Sequence, residues 1–126
     1  MSLRSPLARA RGHGAAKDGV GHWWHQRVTS VALVPLALWL AFSIAGLAGA
    51  SFEATRAWLA SPVSAVLAIL TLAVVFYHLK LGLDVVIEDY VYGKGANTAS
   101  LMIAGFVCTL LGAATIFAVL KVSLGG

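Results

Sequence analysis

Three apolar runs of bilayer length, a charged content of only 11% and the clear breaks between the runs predict an all-α membrane protein with three transmembrane helices. Of 126 residues, 60% are hydrophobic, and a soluble domain of this size would expose more charge. The chain is too short to hold a membrane unit and a catalytic soluble domain. It reads as a single membrane domain over residues 1–126, and its chemistry should depend on partners.

The first run extends from about Val28 to Ala50 (28–50), the second from about Val63 to Ile87 (63–87) and the third from about Leu101 to Val122 (101–122). Each has the roughly 20 residues needed to cross a hydrocarbon core. Residues 1–27 are then a tail and membrane entry. Pro35 should kink the first helix or leave one carbonyl unpaired. The GLAGAS stretch ending at Ser51 loosens the end of that helix, and Ser61-Pro62 is a start signal for the second. Between them, Phe52 to Ala60 is too short for a domain, and Trp58 reads as an interfacial anchor. The turn-rich stretch from Tyr92 to Asn97 separates the second and third helices. In the third, Ala104, Cys108 and Gly112 recur at intervals of four, so helix backbones can approach closely within the bundle or against a partner subunit.

Charge gives orientation and excludes some functions. The net +4 comes mainly from the N-terminal tail, with Arg4, Arg9, Arg11 and Lys17 against Asp18. Nucleic-acid binding would need a basic surface that so apolar a chain lacks. Arg27 and Lys94 add to the N-terminal side, whereas Arg56 and Lys121 lie opposite. The positive-inside rule therefore puts the N-terminus in the cytoplasm. No apolar stretch directly follows the first basic residues, so the start is not a secretory signal, and its short length favours a bacterial inner-membrane protein over an organelle transit sequence. The single Cys108 excludes an internal disulfide and any cysteine-built zinc or iron–sulfur site.

The most informative residue is His78, inside the second run. An imidazole in a bilayer helix is costly unless something binds it, and haem iron is the commonest such ligand. His78, Gly82, Val85 and Asp89 share one helix face within about 60°, which places His78 about 16 Å deeper than Asp89. Gly82 removes a side chain where a flat macrocycle would lie. The alternative is a histidine hydrogen-bonded to neighbouring side chains or carbonyls. His13, His22 and His25 belong to the tail or its junction, so a six-coordinate haem would need its second ligand from another chain.

Asp89 and Tyr90 fall where the helix reaches the headgroups. They read either as a solvated acid beside an aromatic-belt tyrosine, or as groups that bind a lipid-soluble quinone and bring it protons. Arg27, closing the junction His22-Trp23-Trp24-His25-Gln26-Arg27, should lie on the same membrane face as Asp89-Tyr90 and could build one site with them. It could snorkel to phosphates, pair with an acidic group such as a haem propionate, or favour an anionic quinone. The two tryptophans read as interface anchors. A second stripe, Tyr77, Lys80, Asp84 and Glu88, points away from His78 and reads as a charge-compensated seam against another helix, with a proton path as the lesser alternative.

At HWWHQRVTSVALVPLALW and YHLKLGLDVVIEDYV the chain resembles the small hydrophobic membrane-anchor subunits of succinate dehydrogenase, respiratory complex II. The resemblance spans all three helices, and the histidine-to-Asp-Tyr spacing is its most specific part. It implies that His78 is an axial ligand of haem b, shared with a histidine of a second membrane-anchor subunit. It implies that Tyr90 bonds a ubiquinone oxygen with Asp89 as neighbour, and that Arg27 lies near the haem propionates and the quinone pocket. The FAD of a flavoprotein subunit and the clusters of an iron–sulfur subunit would then supply the electrons. Two rivals are a small ion- or proton-conducting subunit using Lys80, Asp84 and Glu88, and a haem-free structural anchor.

Overall fold

The computed structural model describes residues 6–7 and 13–125, with side chains in the first long helix from Gly19 onward. Among the described residues four helices of more than one turn follow one another: α1 (His13–Gly46), α2 (Phe52–Ala60), α3 (Pro62–Tyr90) and α4 (Lys94–Ser123). There is no strand among the described residues. The segments Gly19–Gly46, Pro62–Tyr90 and Lys94–Ser123 are long and apolar enough to cross a bilayer. The all-α, three-span fold class therefore holds. Arg4, Arg9 and Arg11, on which the orientation argument leans, lie outside the described residues.

The helices are not coextensive with their apolar runs. α1 begins at His13, so His22, His25, Gln26 and Arg27 are helical rather than part of a tail ending at Arg27. An apolar count misses this start because the polar residues there include the face that packs on α3. α1 runs unbroken through Pro35, whose ring removes the amide that would otherwise bond the Val31 carbonyl. It stops at Gly46, short of Ala50, and Gly49 at φ +79° turns the chain in a conformation that favours glycine.

Ser51 starts α2 by accepting the Ala54 amide at 3.1 Å, and Glu53 adds a favourable charge in the first turn. Trp58 is not simply an interface anchor. Its indole stacks on Trp39 of α1, with centroids 5.8 Å apart and planes at 22°. Beside this pair Ala65, Ala68 and Val119 form a small core under Trp39, Leu59, Ile69 and Leu72, so all four helices meet at that end.

Ser61 caps α3 by accepting the Ser64 amide at 3.4 Å, and Pro62 occupies the first turn, where no amide partner is needed. At the other end the break is tighter than the predicted Tyr92–Asn97 stretch, because α4 already starts at Lys94 after Gly93 at φ +96°. The Asn97 amide closes the turn by donating to the Val91 carbonyl at 3.3 Å and to the Ile87 carbonyl at 3.1 Å, which already accepts the Val91 amide at 2.9 Å.

α3 is the central helix, packed most extensively on α4 and then on α1. Cys108 and Gly112 are buried, and a Cβ at Gly112 would come within 3.4 Å of Phe76 Cβ. Small residues here do what lipid requires of them, allowing close backbone approach. Phe42, Phe106, Leu110 and Phe117 point outward. In a membrane such surfaces meet lipid or other subunits.

Candidate functional site

His78 faces α1, and two α1 side chains reach its ring. Thr29 Oγ1 lies 2.8 Å from His78 Nδ1, and Gln26 Nε2 lies 3.5 Å from His78 Nε2. Thr29 is buried, and its hydroxyl is also 2.8 Å from the His25 carbonyl oxygen. One residue back on α3, the Tyr77 hydroxyl lies 3.0 Å from His25 Nδ1. α1 and α3 are thus cross-linked at adjacent positions. His25, which the sequence leaves without a role, is one side of that clamp.

Around His78 opens a cleft of about 490 Å³ between α1 and α3, lined by His22, Gln26, Arg27, Ser30, Gly82 and Val85 among others. A Cβ added at Gly82 would meet nothing within 4 Å, so the floor beside the imidazole is open space. Two polar atoms there, His22 Nε2 and Gln26 Oε1, are buried without a hydrogen-bond partner among the described residues. Unpaired buried polar atoms are rare in finished structures and mark a place where a further group fits. The Arg27 guanidinium lies over the Trp23 ring, 5.4 Å from its centroid, a stacking that holds the charge at the cleft.

The contacts of His78 with Gln26 and Thr29 also set Arg27 at the depth of His78. Asp89 and Tyr90 stand three turns farther along α3, about 16 Å away. Arg27 lines the cleft with Gly82 and Val85 as well, and Val85 stands one turn before Asp89. α1 starts earlier than its apolar run, so Arg27 sits well within the helix instead of at its entry. Asp89 and Tyr90 are both exposed, line no described cleft, and make no hydrogen bond to another described residue.

The second polar stripe divides. Lys80 Nζ donates to Asp84 Oδ2 at 2.6 Å, and Asp84 is only 8% exposed. Lys80 lies against α4, with its Cε 4.0 Å from where a Gly105 Cβ would be. That part is a compensated seam. Glu88 is exposed and Tyr77 bonds His25, so neither extends it. Lys80→Met should destabilise the protein by about 2–3 kcal/mol, less than the roughly 3–5 kcal/mol for a fully buried pair because the lysine side chain is 39% exposed. Adding Asp84→Leu should recover most of that loss. Thermal unfolding of the detergent-purified protein measures both, and a Lys80→Met Tm equal to that of the unmodified protein would show that the pair contributes nothing.

Among the described residues no three His, Cys, Asp or Glu side chains converge on a point that could hold a metal ion. The cleft itself holds two imidazoles, His78 and His22. Gln26 and Thr29, the partners of His78, are not singled out by the sequence reading. The signal that marks them is a polar stripe with His22 at i, i+4 and i+7 on an otherwise apolar helix.

Residues 1–120 match the family described as succinate dehydrogenase/fumarate reductase transmembrane subunit. The succinate dehydrogenase hydrophobic membrane anchor subunit of Rickettsia conorii is 32% identical over 106 residues, covering 82% of this chain and 84% of its own. The chain belongs to the family of succinate dehydrogenase membrane-anchor subunits. The anchor subunit of Paracoccus denitrificans is 29% identical over 99% of this chain and 96% of its own, and that of Reclinomonas americana 29% identical over 69% and 75%. No solved structure matches at a significant level. The anchor is accordingly a multi-pass membrane subunit, and its association with the other subunits of that complex follows from the family.

Proposed function

We propose that the anchor gives His78 as one axial ligand to a haem b shared with a histidine of the second anchor subunit, and contributes Tyr90 and Asp89 to the ubiquinone-reducing site. The observation that supports this most is the His78 cleft, where an imidazole held at one nitrogen stands beside the bare Gly82 floor and two unpaired polar atoms. The donor set fits the group: a neutral imidazole for iron, a guanidinium for an acidic propionate, and room for a flat ring. Gln26, joined to His78 Nε2 only at 3.5 Å, is the side chain that a ligand there would displace. When bound, the haem would supply a one-electron reservoir close to the quinone.

The residues of the chain then divide the work by depth. Arg27, which lines the His78 cleft, would pair with an acidic group of the macrocycle. The exposed Tyr90 phenol donates a hydrogen bond to a quinone oxygen, and Asp89 orients its surroundings and passes protons from the aqueous side. Succinate oxidation belongs to the flavoprotein subunit with its FAD, and electrons arrive through the clusters of the iron–sulfur subunit. The anchor has no catalysis of its own. In a bacterial inner membrane, the positive-inside argument puts the N-terminus in the cytoplasm.

A reduced-minus-oxidised spectrum of the complex purified through this anchor, with its co-purifying subunits identified, tests the proposal. The expected result is a b-type spectrum together with flavoprotein, iron–sulfur and second anchor subunits. The same subunits without haem absorbance would favour a structural anchor, for which the satisfied Nδ1 of His78 is the supporting observation. Charge-dependent ion flux without haem or those partners would favour a conducting subunit.

A further inference from the structure

We infer that Thr29 is a positioning residue that fixes the tautomer of His78, holding the proton on Nδ1 so that Nε2 presents its lone pair to the cleft. This rests on the reading of His78 as a haem ligand and goes beyond it, because it assigns how the imidazole is prepared for that role.

The first support is hydrogen bookkeeping at the Thr29 hydroxyl. It has one hydrogen, and the His25 carbonyl oxygen at 2.8 Å and the Gln26 carbonyl oxygen at 3.1 Å can only accept it. With the hydrogen directed to the backbone, Oγ1 faces His78 Nδ1 at 2.8 Å as an acceptor. Nδ1 must then be the protonated ring nitrogen. The second support comes from the other side of the ring. The Gln26 amide nitrogen beside His78 Nε2 can only donate, so Nε2 carries the lone pair. One tautomer satisfies both contacts.

The resulting relay runs from the His78 Nδ1–H to the Thr29 hydroxyl to the carbonyl of α1. Ligating histidines are characteristically held in this way, by a bond from the second ring nitrogen that fixes ring orientation and raises ligand basicity. Burial protects the relay, since Thr29 is only 8% exposed and water cannot replace its oxygen. The hydroxyl is supplied one turn from Gln26 on the same face of α1, so a single helix face carries both groups that read the ring.

The test compares Thr29→Val, which keeps the shape and deletes the acceptor, with Thr29→Ser, which keeps the hydroxyl, both in the whole purified complex. Thr29→Val is expected to weaken haem retention by about 10- to 100-fold and to move the haem midpoint potential upward, because a less basic imidazole favours the ferric state less. Thr29→Ser should restore both. Succinate oxidation by a soluble acceptor should be unchanged in each, which reports assembly. A Thr29→Val complex with wild-type potential and haem content would overturn the inference while leaving His78 as ligand, provided His78→Ala loses the spectrum. If His78→Ala keeps the spectrum, the ligand reading itself falls. Pulsed electron-nuclear double resonance on the unmodified ferric complex needs no substitution. An exchangeable, hydrogen-bonded proton on Nδ1 of the axial imidazole is expected, and a bare Nδ1 would overturn the tautomer.

Discussion

Replacing His78 with alanine is expected to remove or alter the b-type haem spectrum while the soluble subunits continue to oxidise succinate with an artificial acceptor. The size of the effect separates a ligand from a merely packed histidine. As a packed residue, His78 makes two side-chain contacts, to Thr29 and Gln26. Losing them leaves partly buried polar groups unpaired, a cost of about 1–3 kcal/mol. That would lower the thermal stability of the complex without touching its spectrum. As an axial ligand, its loss removes one of the two protein bonds to iron, and His25 cannot replace it because its ring is committed to Tyr77. Spectrum and stability therefore need to be measured on the same preparation. An unchanged reduced-minus-oxidised spectrum in the alanine variant would refute the ligand assignment.

Tyr90→Phe should lower kcat/KM for quinone by about 10- to 100-fold, the range expected from losing one hydrogen bond to a group that becomes negatively charged, about 1.5–3 kcal/mol. The variant isolates the hydroxyl well. Tyr90 is 76% exposed at the end of α3 and makes no hydrogen bond to another described residue, so its phenol supports nothing in the anchor itself. Thermal stability, haem content and succinate oxidation by a soluble acceptor should all stay at wild-type levels. Normal quinone turnover in this variant would take Tyr90 out of the site. Tyr90 and His78 are also expected to be separable, since three turns of α3 lie between them. Their effects should fall on different measurements.

Much of this architecture can be read directly along the chain. The three apolar runs are unmistakable because a bilayer demands about twenty consecutive apolar residues whatever the fold. Ser61-Pro62 marks the start of α3, where a hydroxyl acceptor and a missing amide suit the first turn and little else. The His78-to-Tyr90 spacing on one helix depends only on helical periodicity. The start of α1 is harder to read. Its polar residues interrupt the apolar run, yet they are the ones that face α3, and an apolar count treats them as the end of the membrane segment. Trp58 similarly has the composition of an interface anchor but stacks on Trp39.

Local rules therefore account for the class of the protein, its spans and the face that carries His78, since bilayer length, capping and helical period act within single segments. Which residues meet across helices is another matter. That Thr29 and Gln26 reach the imidazole, that Arg27 lines its cleft, and that His25 bonds Tyr77 all follow from how far α1 slides against α3. That offset is set by packing between side chains distant in sequence, and a slide of one turn would give His78 different partners while leaving every segment's own pattern unchanged.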